Sequence, residues 1–289
     1  MVQASIGIIG GSGLYEIEGL TDIREVDLDT PFGKPSDTIT TGLLEGNRMA
    51  FLPRHGRGHR ILPSEVPGRA NIFALKSLGV QWIISVNTAG SLKENIHPGE
   101  MVIPDQIIDR TTKRVNTFFG DGLVVHVPFA DPFCPALSKV LYDACVKVGV
   151  KVRKGGTYIT MEGPPFSTRA ESNLYRSWGA SIIGMTILPE AKLAREAEMC
   201  YASLALVTDY DSWHDTYTSV TASSIIETMK NNVANAKRIV RLAATSILQE
   251  RKCECPEALK TSIITAPDKI PANLKRELAL LIGKYIPQS

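Results

Sequence analysis

The sequence lacks any hydrophobic run approaching the roughly 20 residues that span a bilayer, so no membrane-spanning helix is expected. It also lacks an excess of either charge. Its 32 basic and 30 acidic residues leave a formal net charge of +2, which gives no reason to expect nucleic acid or a membrane surface as partner. The first eleven residues hold no basic stretch and no small-residue cleavage site, so no secretory signal is expected. Cysteine is scarce. Cys134, Cys145, Cys200, Cys253 and Cys255 are scattered and odd in number, which does not fit a disulfide framework. A reducing compartment is expected. Cys253-Glu254-Cys255 could be half a metal site, but no second Cys or His pair follows it, so no metal is expected. Repeats, low-complexity tracts and dividing linkers are absent too, and a single domain over 1–289 is the simplest reading.

Apolar residues make up 44% of the chain, enough for a core of useful size. Short apolar runs at Ile6–Ile9, Met49–Leu52, Trp82–Val86, Met101–Ile103, Ser181–Met185 and Ser203–Val207 read as strands. Amphipathic stretches at Arg69–Leu78 and Leu137–Val148 read as helices. Ile225, Ile226, Met229, Val233, Ile239, Val240, Ala243 and Ile247 repeat near a period of 3.6 and predict a long helix. Ser224 and Glu227 fit a capping box at its start. A last helix is expected over Asn273–Tyr285. Strands alternating with helices predict an α/β fold, with a mixed, mostly parallel central sheet flanked by helices.

Five of these strands run into small, polar or charged residues: Gly10-Gly11-Ser12-Gly13, Arg54-His55-Gly56-Arg57, Asn87-Thr88-Ala89-Gly90-Ser91, Thr186 and Thr208-Asp209-Tyr210-Asp211. Ordinary strand-to-loop junctions are often Gly- and Ser-rich. In open α/β sheets, however, ligands bind outside the carboxyl ends of strands, so five such ends predict one composite site. Ser12 between glycines, Arg54, His55, Thr88 and Thr186 are suited to an oxyanion. The glycine-rich segment has no Gly-Lys-Ser/Thr ending and no third glycine, so free phosphate is expected rather than a nucleotide tail. His55 and His59 are four apart, but Gly56 and Gly58 oppose a helix there and no carboxylate accompanies them, so no metal pair is expected. Asp209 and Asp211 are either turn and capping groups or a pair that reads an amine. A buried carboxyl beside a like charge can hold its proton and donate it.

Taken together, Ile8-Ile-Gly-Gly-Ser-Gly-Leu14, Thr30-Pro-Phe-Gly-Lys-Pro-Ser36, Arg54-His-Gly-Arg57, Ile108-Asp-Arg-Thr-Thr112, Pro132-Phe-Cys-Pro135, Glu162-Gly-Pro164, Phe166-Ser-Thr-Arg-Ala-Glu171 and Thr208-Asp-Tyr-Asp211 resemble the 5′-methylthioadenosine phosphorylases. These belong to the trimeric purine-nucleoside phosphorylase family. The resemblance runs from about Ile6 to near Leu248. It implies phosphorolysis of methylthioadenosine, with phosphate as co-substrate and no metal or organic cofactor. It implies Ser12, Arg54, His55, Asn87, Thr88 and Thr186 as phosphate ligands. It implies Phe166 and Met185 as pocket walls, and Ser167, Asp209 and Asp211 as readers of a 6-aminopurine, with Asp209 the acid. Ala222 and Ile225 would line the 5′ pocket, closed by His126 of a neighbouring subunit in a homotrimer. The C-terminal helix would lie over that pocket. Asn87-Thr88-Ala89 reads more like the 6-oxopurine branch, which keeps inosine or methylthioinosine as an alternative substrate. A non-catalytic nucleoside-binding module is the alternative of another class. The compartment expected is the cytoplasm, with the nucleus as an additional one.

Overall fold

The computed structural model describes residues 3–11, 14, 16–214, 222–247 and 250–286, with the backbone alone for 222–227. In chain order the elements are β1 (Ile6–Gly10), β2 (Thr21–Val26), β3 (Ile39–Leu44), β4 (Asn47–Pro53), α1 (Gly68–Ser77), β5 (Trp82–Ser91), β6 (Met101–Ile103) and β7 (Gln106–Arg110). They continue with α2 (Pro135–Val148), β8 (Val152–Lys154), β9 (Thr157–Met161), α3 (Arg169–Ser177), β10 (Ile182–Gly184), α4 (Glu190–Glu196) and β11 (Cys200–Tyr210). The last are α5 (Ala222–Ser246), α6 (Ala272–Glu277) and α7 (Ala279–Ile282). The eleven strands form one sheet. Six strand pairings are parallel and four antiparallel, so the sheet is mixed and mostly parallel, as expected.

Apolar alternation sets the layers. On β1, Ile9 joins one core while Ile6 and Ile8 join another; on β5, Ile83 joins the first and Trp82 and Ile84 the second. The first core takes Ile72 and Leu75 of α1 and Leu193 of α4. The second takes Leu137 and Leu141 of α2 and Ile239, Val240 and Ala243 of α5. With both faces covered, β1 is buried at all five positions, the pattern of a central strand in a parallel sheet. Helix α2 starts with Pro135 after Cys134 and stops at Gly149, whose φ of 83° supplies the left-handed residue that ends a helix.

Some boundaries differ from the sequence reading. β5 does not end at Val86 but runs through Asn87-Thr88-Ala89-Gly90 to Ser91, and β11 runs on to Tyr210. Each supports the other, because β11 pairs with β5 from Cys200↔Trp82 to Tyr210↔Ser91. Helix α5 begins at Ala222, which puts Ser224 inside it. A complete capping box instead opens α3, where Thr168 and Glu171 exchange bonds. The single C-terminal helix is two short ones interrupted at Leu278. Leu278, Leu281 and Ile282 pack into the first core. Just beyond them, Tyr285 donates to Glu198 (2.6 Å) and Lys284 to the Pro256 carbonyl (2.9 Å). Glu198 lies just before β11, at the end opposite the aspartates.

The other edge of β5 carries the feature that positions the site. β1 pairs with it only up to Ile9↔Ser85. β10 pairs with it, in the opposite direction, only at Gly90 and Ser91. Between them Val86–Ala89 have no strand partner on that side. Gly184, at the end of β10, lets this join close. A Cβ there would overlap the Tyr158 hydroxyl and stand 3.2 Å from the Thr88 carbonyl oxygen. Gly184→Ala is therefore expected to cost about 1–3 kcal/mol by overpacking. Urea unfolding of the variant checks this, and an unchanged midpoint would mean that β10 shifts freely.

Candidate active site

Arg54 follows directly from β4 and fills the corner where β1 leaves β5. Its backbone N–H donates to Gly10 O (2.9 Å). Its guanidinium donates to Val86 O (3.1 Å), Ile9 O (3.4 Å) and Ser85 Oγ (2.7 Å). Glu190, the first residue of α4, accepts from Nε at 2.5 Å and from Nη2 at 3.1 Å. Both side chains are almost wholly buried, at 3% and 2% exposure. Burial opposes the charged form of Arg54, but the Glu190 carboxylate outweighs it and holds the pKa above its ordinary value. Ser85 Oγ and the Tyr201 hydroxyl donate to the same carboxylate (3.1 and 3.0 Å). The fork expected to clamp phosphate is thus mostly engaged inside the fold, with one Nη1 hydrogen left over. Sequence reading missed Glu190. Its acidic side chain in a helix's first turn resembles an ordinary favourable dipole contact.

Asn87 corrects the sequence reading further. Its amide donates to Ser203 Oγ (2.9 Å) and accepts from the Tyr158 hydroxyl (3.2 Å). It is 5% exposed, so it serves the sheet interior rather than a ligand. Period-two alternation then turns its neighbour Thr88 to the exposed side. Thr186, two residues beyond β10, has a buried Oγ1 with no partner at full hydrogen-bond geometry among the described residues. His55 donates from Nδ1 to Ile61 O at 2.8 Å, since a carbonyl can only accept. Burial is the main force lowering its pKa, so the ring is neutral near pH 7 and Nε2 remains an acceptor. Its ring stacks on His59 at 4.4 Å. Thr88, Thr186, His55 and the remaining Arg54 hydrogen are the groups available around the unpaired edge of β5. Ser12 lies outside the described residues.

The second cluster forms at the end of β11. Pairing with β5 steps from Val207↔Ala89 to Asp209↔Gly90, leaving Thr208 as a bulge residue. Bulges re-aim side chains and recur beside active sites. Thr208 donates to Asp209 Oδ1 at 2.6 Å, and among the described residues no hydrogen bond reaches Oδ2. Burial raises the Asp209 pKa, the Asp211 charge adds to the rise, and the Thr208 bond opposes it. Ser167 Oγ lies within donor reach of both Asp211 oxygens, at 3.1 and 2.9 Å. Ser212 Oγ donates to Ser167 O (2.7 Å) and fastens the loop before α3 to β11. The structure thus brings Ser167 onto Asp211 and sets Asp209 within reach of the Asp211 charge.

Met185 follows β10 and is half-buried, with the Glu162-Gly163-Pro164 loop against its thioether. A Cβ at Gly163 would stand 2.6 Å from Met185 Sδ, and its φ of +70° suits glycine. Arg114 ties this loop to β10 through Met185 O, Leu188 O, Glu162 O and the Glu162 carboxylate. Partial burial raises the pKa of Glu162. Bonds from Ser64, the Thr112 and Lys113 backbones and Arg114 more than offset it and bring the value to about 2. Phe166 is 73% exposed and closes nothing within one chain. His126 is also exposed. Its N–H bonds Ser262 O, and no contact joins it to the aspartates. Ala222 and Ile225 lie in the first turns of α5, but their side chains lie outside the described residues.

A family model described as the phosphorylase superfamily matches residues 5–245. The chain belongs to the phosphorylase superfamily. A curated relative from Geobacter sulfurreducens, named S-methyl-5′-thioadenosine phosphorylase, is 60% identical over 99% of this chain and 100% of its own length. The crystal structure of a methylthioadenosine phosphorylase from an antarctic soil metagenomic library superposes with a TM-score of 0.94 at 49% identity, covering 97% of this chain and 99% of that one. A mutant of adenosine/methylthioadenosine phosphorylase from Schistosoma mansoni, in complex with methylthioadenosine, gives a TM-score of 0.80 at 37% identity, over 89% and 96% of the two chains. Among the described residues no helix is long and apolar enough to cross a membrane. Nothing in these relatives supports a nuclear location.

Because Arg54 and Glu190 are sealed together, removing one charge strands the other. Glu190→Gln is expected to destabilise the phosphorylase fold by about 3–5 kcal/mol, and the Arg54→Met, Glu190→Gln double variant by clearly less than the two single variants combined. Urea denaturation of the four proteins gives the coupling. Additive losses would mean that the pair does not act as a unit.

Proposed function

We propose that this chain cleaves 5′-methylthioadenosine with inorganic phosphate, giving adenine and 5-methylthioribose 1-phosphate. The observation that carries the reading is the Ser167–Asp211–Asp209 cluster, set by the Thr208 bulge beside the unpaired edge of β5. The relatives' names support it. Phosphate would sit at that edge, taking donors from Thr88, Thr186, Arg54 and the Gly10-Gly11-Ser12-Gly13 segment. Neutral His55 offers Nε2 as an acceptor, which suits a phosphate that still carries a proton. The Asn87 amide is turned to Ser203 and Tyr158 in the sheet interior.

The leaving base needs a proton. Asp209 enters protonated and passes the proton from Oδ2 toward N7 as the C1′–N9 bond breaks. Adenine departs neutral, and a phosphate oxygen bonds C1′ on the opposite face. Asp211, positioned by Ser167, accepts from the 6-amino group. A 6-oxo group would set an acceptor against that carboxylate. The chemistry itself calls for no metal or organic cofactor. Met185 walls the ribose side, and Phe166 the base.

A homotrimer would supply what one chain leaves open. His126 stands exposed beside Val124 and Ile264, which are 48% and 62% exposed and joined by a backbone bond. An apolar edge of this kind fits a subunit contact that brings His126 to a neighbour's 5′ pocket, lined by Ala222 and Ile225. The unbridged cysteines fit a cytosolic enzyme.

Adenine release from methylthioadenosine should require phosphate and exceed release of hypoxanthine from inosine. Equal or faster cleavage of inosine would reject the aminopurine reading. Asp209→Asn should lower kcat by about 10²–10⁴-fold. The raised pKa keeps the acid protonated to a higher pH than a free aspartate, and the donor form is lost as pH rises through that value. The kcat profile should therefore fall on its alkaline side in the native protein, and this limb should be missing in Asp209→Asn. Sedimentation should give a trimer.

A further inference from the structure

Four of the five cysteines meet at a single point. The sulfur atoms of Cys134, Cys200, Cys253 and Cys255 all lie within 4.8 Å of one another, and Cys200 Sγ stands 3.4 Å from Cys253 Sγ. They come from three separate parts of the chain. Cys134 precedes α2, and its N–H bonds Tyr201 O (2.8 Å). Cys200 opens β11. Cys253 and Cys255 flank Glu254, whose helical φ and ψ of −79° and −9° turn the loop so that both sulfurs face the same centre. The second pair that the spacing around Cys253 lacks is therefore supplied by distant segments.

We propose that these four thiols bind a structural zinc ion. Zinc in a closed tetrathiolate site has Zn–S bonds of about 2.3 Å, so its sulfurs form a tetrahedron with edges of about 3.8 Å. The separations here bracket that edge. Four thiols this close also suit a soft, tetrahedral ion better than a hard one.

Simple packing explains the cluster less well. Buried cysteine often serves as a small apolar side chain, and Cys145 does so here. It belongs to the second core, and burial pushes its thiol up to about 12. Cys134, Cys200 and Cys255 belong to the same core and Cys253 packs against it, but unlike Cys145 these four also bring their sulfurs together.

The ion would fasten the C-terminal segment to the start of β11. Two other bonds converge on that junction: Arg251 donates to Glu198 O (2.7 Å), and the Leu259 N–H to Glu198 Oε1 (3.0 Å). This role is separate from the proposed catalytic reading, since the cluster sits at the other end of β11 from Asp209.

The test uses the untagged full chain, purified without chelators and then incubated with Zn²⁺ and desalted. Elemental analysis should find about one zinc per chain. A mercurial titration should release that zinc, and a cobalt-exchanged sample should show the visible bands of tetrahedral cobalt thiolate. Cys145→Ser should keep the zinc. Cys253→Ser with Cys255→Ser should lose it and melt at a lower temperature. A protein that takes up no stoichiometric zinc overturns the proposal, whether its thiols are free or found as disulfides by non-reducing mass spectrometry. Bound iron in place of zinc overturns the zinc assignment. Each readout is independent of nucleoside cleavage, so failure here leaves the catalytic reading standing, and the converse holds.

Discussion

The structure depends on an interruption in strand pairing. β5 has a continuous partner in β11 on one side, but on the other it exchanges β1 for β10 and leaves four residues between them unpaired. Buried peptide groups without partners are costly, so the gap needs either a fixed side chain or a ligand. Arg54 takes the first part by bonding the carbonyls of Ile9 and Val86. Its own charge then needs Glu190, and Glu190 needs the start of α4 against the sheet. The remaining part of the edge, at Thr88, is exposed.

The second cluster follows from the same pair of strands. Because β11 tracks β5 beyond the gap, the Thr208 bulge sets Asp209 and Asp211 close to the unpaired edge. Burial, with the Asp211 charge adding to it, pushes Asp209 toward its protonated form, while a serine hydroxyl holds Asp211.

Much of this was legible in the sequence. The buried central strands are unbroken apolar runs, and the polar residues beyond them are the ones that lie around the unpaired edge of β5 and the end of β11. Thr208-Asp209-Tyr210-Asp211 stood out because two carboxyls follow so apolar a strand. The edge strand β2 was not legible, since five of its six positions are exposed and carry no apolar run. β7 and β9 are five-residue pieces whose pairing depends on distant partners. Asn87 entered the ligand set through the family resemblance; the register with Ser203 and the approach of Tyr158 turn its amide inward. Glu190 and the four cysteines were hidden for a shared reason. Their partners lie 53 to 136 residues away, and spacing along a chain reports neighbours only when one local element carries them.

β11 also behaves as a ruler. Its first residue is fixed by Cys200 N–H to Gln81 O, and Asp209 is read off nine residues later. Side chains alternate at every residue along a strand, so a slip of one position would turn the entire far end over. Tyr210 would then occupy the place of the acid. The chemistry at one end of the sheet is thus set by a phase fixed roughly 30 Å away. A disturbance at the start of β11 would be felt as a change of which face the aspartates present, while their immediate neighbours remained intact.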